Sequence, residues 1–110
     1  MENQIKIALV DDHELVRNGI KSLLEEEYNI EVIAEGANGF DALDIMKNVR
    51  PDVLIIDERM PEMNGIEAVA KLQKTDPTSK IIVLSMHDSE DYIIQSIKAG
   101  ASGYLLKDTD

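Results

Sequence analysis

The stretch that decides the fold is Val53-Leu54-Ile55-Ile56-Asp57, which follows Pro51-Asp52. Its four apolar and mostly β-branched residues predict a short strand that is buried on both faces, as strands of parallel sheets are. Asp57 lies at the carboxyl end of this strand, the edge where ligands of open α/β sheets bind. Asp57 is therefore a candidate for chemistry, although an Asp at such a position also commonly forms a turn or caps the next helix.

The composition is that of one small globular domain. The chain has 110 residues, 44% of them hydrophobic, and its 22 acidic and 11 basic residues give a net charge of -11. Because this charge repels nucleic acid and anionic lipid, we expect no binding of DNA or membrane by this chain itself. The absence of cysteine excludes a disulfide, a thiolate metal site and a cysteine nucleophile. No apolar run resembles a membrane span or a secretion signal, so we expect a cytoplasmic protein.

Five short apolar runs predict five β-strands. Polar residues follow or end four of them: Asp11 and Asp12 follow the first, Asp57 ends the third, Ser85 follows the fourth, and Lys107 follows the fifth. In chain order the predicted strands cover residues 5–10, 30–34, 53–57, 80–84 and 103–106.

Four stretches with helical periodicity alternate with these strands. The capping residues and breakers predict helices from Glu14 to about Glu27, from the Asn38 cap to before Pro51, from the Asn64 and Glu67 capping box to about Thr75, and from Asp88-Ser89 to Gly100. The predicted apolar faces are Val16, Ile20, Leu23 and Leu24 in the first helix, Phe40, Leu43, Met46 and Val49 in the second, Ile66, Val69, Ala70 and Leu72 in the third, and Ile93, Ile94 and Ile97 in the fourth.

This alternation predicts an α/β fold with a doubly wound parallel five-stranded sheet, because parallel strands need right-handed helical crossovers. We predict the strand order 2-1-3-4-5, in one domain over residues 1–110 that lacks a fifth helix. In that order the chain reverses direction between the first and third strands. The crevice there is flanked by Asp11, Asp12 and Asp57, and Ser85 and Lys107 end the next strands along.

The acidic residues of this crevice need a compensating charge, because neighbouring carboxylates repel one another by roughly 1 kcal/mol or more per pair. Oxygen ligands at an open edge favour Mg²⁺. With Ser85 and Lys107 beside them, the carboxylates form a constellation for phosphoryl transfer in which Asp57 can act as the nucleophile. Taken singly, each residue also has an ordinary explanation, with Asp11 and Asp12 as helix cap and first-turn charge, Ser85 as a turn hydroxyl and Lys107 as a solvated side chain.

Motifs along nearly the whole chain resemble those of response regulator receiver domains, the phosphorylatable modules of two-component signalling. They are Val10-Asp11-Asp12-His13, Asp57-x-x-Met60-Pro61-x-x-x-Gly65, Leu84-Ser85-Met86-His87 and Gly103-Tyr104-Leu105-Leu106-Lys107-Asp108. The last motif, with Lys98-Ala99-Gly100-Ala101 before it, most resembles the branch whose receivers precede a NarL/LuxR-type helix-turn-helix output domain. The resemblance implies a flavodoxin-like fold, a sensor histidine kinase as partner, and DNA binding only through an output domain outside this chain.

The resemblance also implies a metal site around the phosphoacceptor. Asp57 would accept the phosphoryl group from a kinase phosphohistidine. Asp12 and Asp57 would ligate Mg²⁺ directly, Asp11 would act through water, and the backbone carbonyl of Arg59 would complete the protein ligands.

The remaining residues implied by the resemblance form the switch. Ser85 would bind a phosphoryl oxygen, Lys107 would pair with the phosphoryl group, and Tyr104 would reorient as Ser85 moves, which changes the surface of helix four and strand five. Arg59 and His87 occupy positions that tune the loss of the phosphoryl group to water.

Three positions depart from the general family pattern: Glu58 stands where an apolar residue is usual, Met86 is bulkier than the usual Ala or Gly, and Asp108 replaces a Pro found in many receivers, though not in the NarL/LuxR branch. Glu58 predicts a more polar loop after the phosphoacceptor. The only two histidines, His13 and His87, are too scattered to predict a transition-metal site.

Two other functions compete with the switch. A Mg²⁺-dependent phosphohydrolase could use Asp57 as a catalytic nucleophile, but such enzymes of the haloacid dehalogenase type need an acid two residues later, where this chain has Arg59. A flavodoxin-like cofactor binder needs a phosphate loop after the first strand, where Asp11-Asp12 would repel phosphate.

The lack of a fifth helix predicts self-association. Without it, apolar side chains from residues 53–56, 81–84 and 104–106 would be exposed on one face of the sheet. Soluble monomers rarely leave such a patch open, so we expect a homodimer, either from this exposure or on activation. Exchange of an element, a rearranged last segment, or a shift of the first helix into the gap would also cover the patch.

Overall fold

The computed structural model describes residues 4–76, 78, 80–85, 99 and 101–106, with the backbone alone for 104–106. Within these residues the chain forms five strands and three helices. Their order is β1 (Ile5–Val10), α1 (Glu14–Glu25), β2 (Ile30–Gly36), α2 (Gly39–Asn48), β3 (Val53–Asp57), α3 (Gly65–Thr75), β4 (Ile81–Ser85) and β5 (Gly103–Leu106). The fourth predicted helix, at residues 88–100, lies outside the described residues apart from position 99.

The strands form a single parallel sheet in the order β2-β1-β3-β4-β5, which confirms the predicted topology. The register aligns the carboxyl ends of the central strands. Ile56 of β3 lies beside Val10 of β1 and Val83 of β4, and Asp57 lies beside Leu84. The residue after β1, the last residue of β3 and the last residue of β4 therefore meet at one edge.

Helices α2 and α3 cover one face of this sheet. The core between them and the sheet consists of buried aliphatic side chains that alternate along the strands, as the two-residue period of a strand requires. It contains Ala8, Val10, Leu54, Ile56, Ile81 and Val83 from the strands and Ala42, Ile45, Ala68, Val69 and Leu72 from the helices.

The opposite face carries a second cluster, formed by Ile7, Leu9, Ile55 and Leu84. Ile20 and Leu24 of α1 and partly buried strand side chains pack against it. Ile55 is 6% exposed and Leu84 5% exposed, so the prediction that this face is open is wrong for both residues. Val53 and Ile82 on the same face are partly buried, and the side chains of residues 104–106 lie outside the described residues, so the predicted self-association stays a prediction.

The predicted face of α2 is wrong at two positions, because the helix packs through its small residues and Ile45. Phe40 is 54% exposed and Val49 is 43% exposed, whereas Gly39, Ala42 and Ile45 are the buried residues of this helix. A Cβ atom on Gly39 would overlap Met63, so only a glycine at this position can pack this closely against Met63.

The remaining boundaries differ slightly from the predictions. Helix α1 ends at Glu25 instead of Glu27, because Glu26 and Glu27 bond to carbonyls three residues back in a tightened last turn. Its predicted face residue Leu23 is 66% exposed. Strand β2 continues to Gly36, and β4 begins at Ile81 and includes Ser85. No helix in the described part of the chain is long and apolar enough to cross a membrane.

Candidate functional site

The candidate site lies at the carboxyl edge of the three central strands. Asp11 follows β1, Asp57 ends β3 and Ser85 ends β4. Their side chains are buried to an extent that is unusual for such residues: Asp11 is 0% exposed, Asp57 3% and Ser85 1%. Buried carboxylates are rare unless they are paired or bind a cation, so their burial here makes this edge a candidate functional site.

Four side chains at this edge bring their ligand atoms together. Asp11, Asp12, His13 and Asp57 each offer one atom, and these atoms lie within 4.8 Å of one another. The structure thus unites the three carboxylates that the sequence predicts. It adds His13, which the sequence analysis set aside because two scattered histidines do not predict a transition-metal site.

The loop after β1 is held by hydrogen bonds to Asp11. Its carboxylate oxygen Oδ1 accepts the backbone N–H of His13 at 2.8 Å. Its carbonyl oxygen accepts Nη1 of Arg17 at 2.6 Å, and Arg17 Nε donates to Glu35 Oε1 at 3.0 Å. Asp11 is therefore not the cap of α1, whose N-cap residue is His13 with no side-chain cap bond, and the ordinary explanation of Asp11 as a helix cap does not apply.

The loop after β3 is fixed at its far end by the start of α3. The N–H of Gly65 donates to the carbonyl of Glu58 at 2.8 Å. Asn64 and Glu67 form the predicted capping box, each accepting the other's backbone N–H. Residue Met63 is buried and its carbonyl accepts the N–H of Gly39 at 3.1 Å. The backbone after Asp57 is therefore held on both sides.

A contact between Glu58 and Ser85 was not foreseen from the sequence. The hydroxyl Oγ of Ser85 donates to Glu58 Oε1 at 2.6 Å, and Glu58 is only 3% exposed. The polar residue predicted in this loop, Glu58, is thus a buried acid that contacts Ser85 at the end of β4. Only the parallel register of β3 and β4 brings these two residues together.

Several predicted site residues are placed only in part. Arg59 is exposed in the loop after β3. The backbone of Tyr104 pairs with Val83, but its side chain lies outside the described residues. Lys107 and His87 also lie outside them, as do Met86 and Asp108.

The donor set of the cluster fits a hard divalent cation. Three carboxylates supply oxygen ligands, the kind that Mg²⁺ and Ca²⁺ prefer. Since the two innermost carboxylates, Asp11 and Asp57, are buried, their mutual repulsion is poorly screened by solvent. A bound cation would offset that repulsion, and the exposed Asp12 and His13 leave the cluster open to solvent on one side.

Comparison with known proteins agrees with this geometry. The family model of the response regulator receiver domain matches residues 7–110. The transcriptional regulatory protein DegU of Brevibacillus brevis is 45% identical over 109 residues, covering 99% of this chain and 46% of DegU. The nitrate/nitrite response regulator NarL of Escherichia coli is 37% identical over 112 residues, covering 100% of this chain and 52% of NarL. The chain spans about half the length of these relatives.

A solved structure extends the similarity to three dimensions. The signal receiver domain of the response regulator NarL from Mycobacterium tuberculosis superposes with a TM-score of 0.94 at 31% identity, covering 99% of this chain and 88% of that one. The family match spans nearly the whole chain, and it includes the acidic edge and the strand that ends in Ser85. The chain therefore belongs to the response regulator receiver domain family, and its relatives are response regulators of the NarL/LuxR type.

Proposed function

We propose that this chain is a phosphorylation-dependent switch in which Asp57 is the phosphoacceptor. The observation that carries the proposal is the meeting of Asp11, Asp12 and Asp57 within 4.8 Å, at the edge where β4 ends in Ser85. Among these acids Asp57 alone ends a central strand, whose neighbour β4 ends in Ser85.

In the proposed reaction a carboxylate oxygen of Asp57 attacks phosphorus. The donor is the phosphohistidine of a sensor histidine kinase. An O–P bond forms on Asp57 while the P–N bond breaks, and its electron pair returns to the imidazole of the donor. Because both bonds lie in line at phosphorus, the chain's main task is to position the donor and offset negative charge.

The carboxylate cluster would hold the cation that this reaction needs. We assign direct ligation to Asp12 and Asp57, contact through water to Asp11, and one further ligand to the backbone carbonyl of Arg59. Mg²⁺ bound there supplies positive charge that offsets repulsion between the carboxylates and the phosphoryl oxygens.

The phosphorylated state would be recognised by Ser85 of β4, by Tyr104 of β5 and by Lys107, which follows β5 in the sequence. Ser85 donates a hydrogen bond to a phosphoryl oxygen, Lys107 pairs with its charge, and Tyr104 reorients. The surface formed by the predicted fourth helix and β5 would then change, which makes it the proposed output surface.

The chain would act within a longer protein. Its span of about half the length of its relatives supports a receiver joined to a second domain. We assign a helix-turn-helix transcriptional output to that domain, DNA binding to it alone, and homodimerisation to the activated state. Signalling by such a module is stoichiometric, unlike turnover by an enzyme.

Phosphorylation with a small donor tests the proposal. Incubation with Mg²⁺ and acetyl phosphate or phosphoramidate should add one phosphoryl group, which peptide mapping should place on Asp57. Asp57→Asn should abolish the mass gain, whereas Asp44→Asn, a matched loss of an exposed acid on α2, should keep it. A full mass gain in Asp57→Asn would contradict the assignment, and rapid multiple turnover of the donor would favour the phosphohydrolase.

A further inference from the structure

The hydrogen bond between Glu58 and Ser85 joins the residue after the proposed phosphoacceptor to the proposed switch hydroxyl. Ser85 Oγ lies 2.6 Å from Glu58 Oε1, a short distance that is typical of a hydroxyl bonded to a carboxylate. Both residues are almost fully buried, at 1% and 3% exposure. Solvent therefore competes little for this contact.

The backbone of Glu58 leaves its side chain little freedom to follow Ser85. Its N–H donates to the carbonyl of Leu84 at 2.8 Å, and its carbonyl accepts the N–H of Gly65 at 2.8 Å. Its second carboxylate oxygen, Oε2, is buried and has no hydrogen-bond partner within the described part of the chain. Within the described residues, the Glu58 carboxylate therefore accepts a hydrogen bond from Ser85 through Oε1 and none through Oε2.

A serine hydroxyl carries one proton, which it can donate to one acceptor at a time. If Ser85 donates that proton to a phosphoryl oxygen on Asp57, it must withdraw it from Glu58. A buried carboxylate would then lose its donor, and removing the donor of a buried acceptor is unfavourable, more so when the acceptor is charged. The Glu58 carboxylate and the phosphoryl group therefore compete for the same proton.

We infer that Glu58 is a positioning residue that holds the Ser85 hydroxyl in the unphosphorylated arrangement and opposes activation. The inference rests on the proposed function of Asp57 and Ser85, and goes beyond it by assigning the unphosphorylated state its own stabilising contact. An apolar residue after the phosphoacceptor cannot make this contact. Glu58 thus raises the threshold that phosphorylation of Asp57 must overcome.

Affinity for beryllium fluoride, a non-covalent analogue of a phosphoryl group, measures this threshold directly. We would titrate the wild-type chain, Glu58→Gln and Glu58→Met with beryllium fluoride in saturating Mg²⁺ and follow backbone amide signals by NMR. The two substitutions remove the same charge and have similar shapes. Gln keeps an acceptor for the Ser85 hydroxyl, and Met does not, so their difference isolates the hydrogen bond from the charge.

We expect Glu58→Met to bind the analogue about fivefold more tightly than Glu58→Gln, the size of one neutral hydrogen bond. Glu58→Met should also bind the analogue at least about tenfold more tightly than the wild-type chain does. In the wild-type chain, binding must break a hydrogen bond from Ser85 to a charged carboxylate, which is stronger than one to a neutral acceptor. In a Ser85→Ala background, Glu58→Met and Glu58→Gln should agree within about twofold, because the hydroxyl for which the groups compete is absent.

Each other outcome contradicts a stated claim. Equal affinities of Glu58→Met and Glu58→Gln in the presence of Ser85 would overturn the inference, as would a difference between them that persists in the Ser85→Ala background. If no chain, wild type included, binds the analogue at the Asp57 edge, the proposed function fails and the inference fails with it. Urea unfolding of every variant shows that the chains compared are folded.

Discussion

The α-carbon of Gly65 packs directly against the carbonyl group of Asp57. A Cβ atom built on Gly65 would overlap that carbonyl oxygen and crowd the backbone of Glu58. The same glycine donates its N–H to the Glu58 carbonyl at 2.8 Å and begins α3. The end of β3 and the start of α3 are thus in backbone contact, which only a residue without a side chain permits.

We predict that Gly65→Ala lowers the free energy of unfolding by about 2 kcal/mol or more, because the methyl group must displace the backbone after Asp57. Gly19→Ala is the matched control, since a Cβ atom on Gly19 of α1 meets nothing within 4 Å. This control should stabilise the chain by up to about 1 kcal/mol through helix propensity. Urea denaturation measures both changes, and a Gly65→Ala chain as stable as the wild type would show that the loop yields without strain.

We predict that Arg17→Met lowers the free energy of unfolding by about 1 to 2 kcal/mol, because Arg17 bonds to both the Asp11 carbonyl and Glu35. Lys21→Met removes the same charge and also breaks a pair with Glu35, at 3.2 Å. Lys21 is 38% exposed, against 18% for Arg17, so its loss should cost about 0.5 kcal/mol or less. Equal losses in the two variants, measured in urea, would mean that the bond to Asp11 contributes nothing.

We predict that Asp12→Ala weakens Mg²⁺ binding by more than about tenfold, because it removes a proposed direct ligand. Without metal, the same variant should be as stable as the wild type or more stable by up to about 1 kcal/mol, since one source of repulsion is gone. NMR titration with Mg²⁺ and urea denaturation test the two parts. Glu26→Ala, which removes an exposed acid at the C-cap of α1, should leave the titration unchanged. If Asp12→Ala titrates like the wild type, the metal site lies elsewhere.

The sequence alone determined the sheet and the edge that carries the site. Apolar runs such as Val53 to Ile56, in alternation with amphipathic helices, predict buried parallel strands, and crossover handedness then leaves few strand orders, of which the predicted one is correct. The acids that follow β1 and end β3 were likewise predictable, because the carboxyl ends of parallel strands share an edge. The cap of α3 was readable because a capping box is local, between Asn64 and Glu67.

Tertiary structure alone decided which residues of α2 are buried and what the polar loop residues contact. Phe40 faces solvent, whereas Gly39 packs against Met63 of the loop after β3 and Ala42 packs in the core. The spacing of apolar residues in the sequence does not show how closely a helix approaches its neighbours. Glu58 bonds to Ser85 across 27 positions, and Arg17 reaches back to the carbonyl of Asp11. Such contacts depend on the register of neighbouring strands and on side-chain reach in three dimensions, neither of which is encoded in any local stretch of sequence.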